Sequence, residues 1–392
     1  MTNTLSPLVD TYPQYPFEIA KGEGSKVFDT DGNSYLDLYG GHAVCSIGHC
    51  HPKLTEALKK QADELIFYSN LTPLAVRTKA AEMLIQFADC HLSSVFFCNS
   101  GAESNEHALK LALQLTGRKE IVALTGGFHG RTTLCAAATD NKKWHKRNDG
   151  WIREVKRIAP NSTKGLEVIT QETAAVILEP IQSIGGVTVL TTEFLSLIRK
   201  RCDQTGTLLI FDEIQTGVGR TGTPFANHHW GVKANISTSA KSLGGGVPVG
   251  AILMTADIAK EIKLGDLGST FGGSPLAMAG IISVLSVIQD ENLLTHVKSF
   301  ERYARKSLEA LDLISEVRGK GCLLGLSLNP SAFTPSDTLA KDITTTLRDN
   351  YEILAGTSGV SNVMRLLPPL NTELTAIDTL ASALSKIGAA NA

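Results

Sequence analysis

Several features that would settle a function early are missing from these 392 residues. No apolar run approaches the ~20 residues of a membrane-spanning helix. The first ten residues, Met1 to Asp10, hold neither a basic nor an apolar stretch, which predicts no export signal and a cytoplasmic protein. An excess of one charge is lacking too. The 37 Lys and Arg against 39 Asp and Glu leave a net charge of -2, with no basic stripe interleaved with aromatics, which argues against a nucleic-acid partner. Seven cysteines (Cys45, Cys50, Cys90, Cys98, Cys135, Cys202 and Cys322) are scattered, and none forms a C-x-x-C pair. They predict reduced, mostly buried thiols, not a disulfide framework. His49-Cys50-His51 and His228-His229 lack the usual ligand spacing, so no metal is expected.

What is present is globular: 43% hydrophobic and 19% charged residues. The length exceeds one ordinary core, so a second domain or appendage is expected. Lys26-Val27-Phe28 and Tyr35-Leu36-Asp37-Leu38 flank Asp31-Gly32-Asn33, a hairpin signal. Pro52 opens a helix to about Ile66, and a second runs from about Pro73 to Ala88. From Val95 short apolar runs (Val95–Cys98, Ile121–Leu124, Ala174–Leu178, Leu208–Phe211, Val249–Met254) alternate with helical stretches such as Ala102–Leu115 and Glu193–Gln204. That alternation predicts an α/β fold with a mostly parallel sheet and helices on both faces. Long helical patterns at about 276–290 and 292–312, strand-like Cys322–Leu328 and Val363–Leu367, and a final helix predict a smaller α+β domain joined by the N-terminal hairpin. The expected division is 1–45 with the small domain, 46–275 large and 276–392 small.

The chain is organised around Leu208-Leu209-Ile210-Phe211-Asp212-Glu213 and the later Lys241. Four consecutive apolar residues read as a strand buried on both faces. A carboxylate at its end needs a cation or other partner, because an unpaired buried charge is expensive. Ligands in open α/β sheets sit at such strand ends. An ATPase would also place an acid here, but its G-x-x-x-x-G-K-[ST] loop does not occur. Gly217-x-Gly219-x-x-Gly222 matches a dinucleotide fingerprint in the wrong context. Gly217 comes six residues after Phe211, Pro224 interrupts any following helix, and no acid follows about twenty residues on. A dehydrogenase is thus a distant alternative.

Asn99-Ser100-Gly101-Ala102-Glu103 lies between a strand and a helix, where Ser100 suits an N-cap and the helix terminus suits a phosphate. Ordinary capping explains that stretch equally. Gly126-Gly127-Phe128-His129-Gly130-Arg131 offers an aromatic face and a guanidinium, for a planar ligand and a carboxylate. Lys241 stands among small and hydroxyl residues before Gly244-Gly245-Gly246, and a desolvated lysine becomes nucleophilic. One cofactor asks for a lysine, a carboxylate, a phosphate cradle and a stacking partner together: pyridoxal phosphate.

The chain resembles the class III pyridoxal-phosphate-dependent aminotransferases, and within them the acetylornithine aminotransferases. The motifs run in family order over nearly the whole length: Gly40-Gly41-His42-Ala43-Val44, Gly48-His49-Cys50-His51-Pro52, Ser100-Gly101-Ala102-Glu103, Phe128-His129-Gly130-Arg131-Thr132, Glu179-Pro180-Ile181-Gln182, Asp212-Glu213-Ile214-Gln215-Thr216-Gly217, Ser269-Thr270-Phe271-Gly272-Gly273 and Arg365-Leu366-Leu367-Pro368-Pro369-Leu370. The resemblance implies the fold-type-I architecture and a homodimer with shared sites. It implies that Lys241 holds the cofactor and shuttles a proton, and that Asp212 pairs with the ring nitrogen. Gln215 would lie near the ring hydroxyl, with Phe128 and Ile214 on the two ring faces. Gly101 and Ala102 would bind the phosphate, and Thr270 would reach it from the second subunit. Arg131, with Ser269 nearby, and Arg365 would meet substrate carboxylates. The implied reaction is transfer of the δ-amino group of N2-acetylornithine to 2-oxoglutarate, giving a semialdehyde and glutamate, as in arginine biosynthesis.

Three positions depart from the family pattern. Ile184 stands where ω-aminotransferases usually carry a glutamate that screens the arginine matching Arg365. Leu267 replaces a frequent histidine and Ser274 an asparagine. An apolar residue in place of the gate glutamate is similar to relatives associated with N-succinylornithine, so Arg365 is expected to be unscreened or differently paired.

Overall fold

The structure, a computed structural model, describes residues 7–88, 91–147, 155–329, 331 and 337–391. Cys90 and the first six residues of the N-terminal segment lie outside them. The expected hairpin forms between β2 (Lys26–Asp29) and β3 (Ser34–Asp37), after β1 (Ile19–Glu23). Its turn is closed by Asp29, whose carboxylate accepts from the amides of Asp31 and Asn33 and from the Asn33 side chain. A short turn, α1 (Gly40–Ala43), leads to α2 (Pro52–Glu64), with proline in its first turn, and α3 (Ala75–Ala88).

The central sheet then assembles from β4 (Ser94–Cys98), β5 (Glu120–Leu124), β6 (Lys156–Ile158), β7 (Thr173–Leu178), β10 (Leu208–Asp212), β11 (Ile236–Ser239) and β12 (Gly250–Met254). A small hairpin, β8 (Ile181–Gln182) with β9 (Thr188–Val189), interrupts it. The strand order is β4-β12-β11-β10-β7-β5-β6, with β12 antiparallel to both its neighbours. Two of the seven strands escape an apolar-run criterion. β6 is Lys-Arg-Ile, and β11 is Ile-Ser-Thr-Ser with all four residues buried. Within β11, Thr238 Oγ1 donates to Asn105 Oδ1 at 2.7 Å, while the buried Ser239 Oγ has no partner.

Helices cover both faces, as the alternation requires. On one side α4 (Gly101–Thr116) packs Ala108, Leu109 and Ala112 against Ile177, Ile210, Ile236 and Ile252. On the other α7 (Thr192–Thr205) packs Phe194, Leu195 and Ile198 against Val176, Leu178, Leu209 and Phe211. Side chains alternate along a strand, so Asp212 falls on the same side as Ile210, facing α4. That single register places the carboxylate.

The C-terminal part carries α9 (Pro275–Asp290), α10 (Leu293–Leu308), β13 (Ile314–Lys320), β14 (Leu323–Leu328), α11 (Leu339–Tyr351), β15 (Ile353–Leu354), β16 (Gly356–Thr357), β17 (Val363–Leu366) and α12 (Thr375–Asn391). The second long helix stops at Leu308, short of 312, because the chain turns directly into β13. That strand and α11 are additions to the expected elements. Strands β13, β14, β17 and β16 make one antiparallel sheet. β15 pairs in parallel with β3, which ties the two chain ends together. Among the described residues no single helix is long and apolar enough to cross a membrane.

Candidate active site

At the C-terminal end of β10, Asp212 is 3% exposed and has three hydrogen-bond donors. Its Oδ2 accepts from Asn105 Nδ2 at 2.7 Å and His129 Nδ1 at 2.8 Å, and its Oδ1 from the Ile214 amide at 3.1 Å. Asn105 stands one helical turn beyond Gly101 on α4, and its side chain also donates to the His129 carbonyl at 2.8 Å. The carboxylate is therefore held rigidly. No lysine or arginine forms an ion pair with it among the described residues.

Lys241 opens a tight turn after β11 with φ +44°, a left-handed conformation rare for a lysine. Gly245 closes the turn at φ +61°, and a Cβ there would meet Leu54 and Val284 at 2.8 Å. Burial pushes the Lys241 amine down to about 8; the carboxylates of Asp212 and Glu179 pull it up, and Arg365 opposes them. Glu179, buried at the end of β7, accepts from the Phe128 amide at 2.8 Å and so holds the loop that carries Phe128. Burial raises its carboxyl, His129 lowers it, and the Asp212 charge raises it again.

The start of α4 forms a reciprocal cap. Ser100 Oγ accepts from the Glu103 amide at 3.1 Å, and the Glu103 carboxylate accepts from the Asn99 amide at 2.8 Å. Helix geometry then leaves the Gly101 and Ala102 amides without intrahelical partners. Gly101 is needed here because a Cβ would strike Ile214 at 2.8 Å. Ile214 thus lies against the cradle, while Gln215 has a buried Oε1 with no partner. Phe128 sits with its ring 6.0 Å from Trp144 at an interplanar angle of 65°.

Other predicted residues fall elsewhere. Ser269 is held at the cradle end, accepting from Asn99 Nδ2 and the Gly272 amide at 3.0 Å each, and Thr270 beside it is exposed. Arg131 is held instead by Tyr12, to whose hydroxyl it donates at 2.6 Å, and it lies 5.3 Å from both the Tyr12 and Trp144 rings. Arg365 is 5% exposed, with no carboxylate paired to it among the described residues. It donates to the Thr357 carbonyl at 2.6 Å, Ser183 Oγ at 2.9 Å and the Tyr39 hydroxyl at 2.8 Å. All three partners are neutral, so Arg365 is hydrogen-bonded while its charge is not cancelled by a carboxylate. Burial lowers the Arg365 pKa. Ile184 itself accepts from the Gly359 amide at 2.7 Å through its carbonyl.

Gly217–Gly222 is a packed turn. Gly219 lies against Leu370 and Leu294, Gly222 lies against Lys298, and fully buried Arg220 donates to the carbonyls of Cys322 and Pro368. The histidines also have protein partners: His49 bonds Asp37, His51 bonds Glu291, and His228 bonds the Ala88 carbonyl.

Sequence reasoning passed over Asn105, Tyr12, Tyr39 and Trp144, and quoted His129 and Glu179 only inside motifs. Asn105 had a usable signal, since it is four residues from Gly101 and so shares its helix face. Tyr12 had none; it lies in a proline-punctuated segment without periodicity.

Residues 9–387 match the family described as Aminotransferase class-III. The chain is a class III aminotransferase. It is 39% identical to the acetylornithine aminotransferase of Methanocaldococcus jannaschii, over 96% of this chain and 94% of that protein. The aminotransferase also superposes on the ornithine aminotransferase of Toxoplasma gondii, a structure with pyridoxal phosphate at partial occupancy (TM-score 0.88, 29% identity, 98% of this chain and 92% of that one). It superposes likewise on the N-acetylornithine aminotransferase of Stenotrophomonas maltophilia (TM-score 0.81, 32% identity, 97% and 98%). The aminotransferase is thus a pyridoxal-phosphate-dependent transaminase of fold-type I. Its residues fit that cofactor: two helix-terminal amides for a phosphate, an orphaned Gln215 oxygen for a hydroxyl donor, and a buried lysine with a depressed pKa.

Proposed function

We propose that this aminotransferase moves the δ-amino group of N2-acetylornithine to 2-oxoglutarate, yielding the semialdehyde and glutamate. The observation that carries this reading is the pair of guanidinium groups, Arg131 and Arg365, neither of them paired with a carboxylate among the described residues. His42 feels the charge of both arginines and of Lys241, so all three converge on one region. A five-carbon dicarboxylate suits two such groups, and a donor with one carboxylate needs only one.

Bound pyridoxal phosphate supplies the electron sink that lets a carbon–hydrogen bond beside the amine break. Lys241 Nζ would hold the cofactor and carry a proton, accepting it as a neutral amine and returning it as an ammonium. A pKa near 8 suits both roles. Asp212, fixed by Asn105 and His129, would pair with the ring nitrogen and favour its protonated form. Gly101 and Ala102 would hold the phosphate, Gln215 the ring hydroxyl, and Phe128 and Ile214 the ring faces. Arg131 orients the donor carboxylate, and Ser269 supports the cradle.

The neutral surroundings of Arg365 favour a second donor reading, N-succinylornithine, whose extra carboxylate would meet the standing charge. Side-by-side kinetics with N-acetylornithine, N-succinylornithine, ornithine and 4-aminobutyrate decide between them. An acylated ornithine is expected to give the highest kcat/KM; a preference for 4-aminobutyrate or ornithine would overturn the reading. Arg131→Ala is expected to raise the donor KM about 10- to 100-fold with a smaller change in kcat, through loss of a charge-assisted contact.

A homodimer with shared sites is proposed as well. Leu65, Ile66, Phe67, Tyr68, Leu71 and Phe271 form exposed apolar surface next to Thr270, and the Phe67 and Phe271 rings lie 5.2 Å apart. Light scattering is expected to give twice the chain mass of 41.9 kDa, and a stable monomer would remove this proposal together with the role of Thr270. The described cysteines form no disulfide, in accord with a cytoplasmic location, which cell fractionation checks.

A further inference from the structure

The chain makes an unusual turn before α2. Gly40, Gly41, His42 and Ala43 all have positive φ, and His42 sits at φ +65° and ψ +40°. Left-handed backbone is ordinary for glycine and rare for histidine and alanine, and such conformations persist where surrounding contacts enforce them. Here the Asp37 carboxylate accepts from the Tyr39 and Gly40 amides at 2.9 and 2.8 Å, and a Cβ on Gly40 would meet the Leu367 carbonyl at 2.7 Å. The result is that the His42 ring sits 4.7 Å from the Tyr39 ring, with Nδ1 2.9 Å from the Tyr39 hydroxyl.

Proton bookkeeping on that hydroxyl is decisive. Arg365 Nη2 can only donate, so at 2.8 Å the Tyr39 oxygen accepts from it. The hydroxyl keeps its own proton to donate, and His42 Nδ1 at 2.9 Å is the acceptor within reach among the described residues. This assigns the tautomer of His42 with the hydrogen on Nε2. The electrostatic surroundings agree: partial burial, then Arg365, Lys241 and Arg131 hold the His42 ring below its ordinary pKa, while Asp37 alone pulls it up. The Tyr39 ring also lies 5.5 Å from the guanidinium.

We propose that Tyr39 and His42 are positioning residues for the acceptor's carboxylate. Neutral His42 accepts a hydrogen bond from the Tyr39 hydroxyl, so the phenol oxygen turns a lone pair to Arg365 and fixes the guanidinium without cancelling its charge. A carboxylate partner would neutralise that charge in both half-reactions; this pair leaves it standing. The inference rests on the reading that Arg365 meets a substrate carboxylate.

The test uses the holoenzyme and glutarate, a dicarboxylate with no group to react, titrated calorimetrically, alongside single-turnover rates of each half-reaction. Tyr39→Phe, which leaves the backbone untouched, is expected to weaken glutarate about tenfold by removing a bond to a charged group. His42→Phe is expected to weaken it about threefold, because the hydroxyl proton then competes for the side of the oxygen facing Arg365. His42→Asn keeps an acceptor and suits left-handed backbone, so it should restore binding to within about twofold. The loss should fall on the 2-oxoglutarate half-reaction and leave the half-reaction with N-acetylornithine within about twofold. Arg365→Met separates the two levels of the argument. If it leaves glutarate binding unchanged, the role of Arg365 itself fails. If it weakens glutarate while Tyr39→Phe and His42→Phe do not, only the positioning proposal falls. Equal slowing of both half-reactions by His42→Phe, unrescued by His42→Asn, would reduce the turn to a structural role.

Discussion

Lys241→Ala protein is expected to lose the visible absorbance of covalently held pyridoxal phosphate and to turn over at least about ten-thousandfold more slowly. The expectation follows from burial. A lysine in water keeps a proton far above neutrality, but this amine is desolvated and its pKa stands near 8. Asp212 and Glu179 pull that value up without reaching the amine as ion-pair partners among the described residues, so the lysine is not locked as an ammonium. Attachment of pyridoxal phosphate to cofactor-free protein should therefore quicken as pH rises through about 8, where the neutral, nucleophilic amine becomes the main form. A variant with an unchanged spectrum, or an attachment rate flat from pH 6.5 to 9.5, would sink the assignment of Lys241.

The second large effect is predicted at Asp212. Asp212→Ala should keep part of its cofactor, because the cradle at Gly101 and Ala102 and the lysine are intact. Turnover should nevertheless fall about a thousandfold or more, since the charge that holds a proton on the ring nitrogen is gone. The same change strands two buried donors, Asn105 Nδ2 and His129 Nδ1, whose lost acceptor costs about 1–3 kcal/mol each. A lower midpoint in thermal unfolding should therefore accompany the kinetic loss. Asp212→Asn separates the two effects, because it keeps an acceptor oxygen and removes the charge. Near-normal turnover in either variant would contradict the electron-sink role.

The strand that carries Asp212 and the start of α4 were legible in the sequence; the surroundings of Arg131 and Arg365 were not. Leu208–Phe211 announces a buried strand through four apolar residues, and Asp212 at its end can be read from the cost of burying a charge. Ser100 and Glu103 announce the helix start by their spacing. β11 is silent, because Ser237, Thr238 and Ser239 look like a loop until Thr238 is seen bonded to Asn105 on α4. Arg131 and Arg365 stood out as cations, yet what surrounds them comes from Tyr12, Tyr39, Trp144 and Ser183, brought together from distant parts of the chain. Local pattern cannot report such meetings. Ile184 marked a departure from the family pattern, and among the described residues the partners of Arg365 are neutral.

The alternation along β10 has a consequence for how this enzyme can vary. Leu209 and Phe211 are committed to α7, Ile210 and Asp212 to α4, and parallel neighbours hold the strand from both sides. Inserting or deleting one residue would swing Asp212 away from Asn105 and His129 and send two large apolar side chains to the wrong helix. The cofactor half thus admits substitution only in place. Tyr12, Arg131 and Trp144 lie outside the sheet, where changes in length leave that register alone. Residues around Arg131 can therefore change in number as well as in kind, a freedom that β10 lacks.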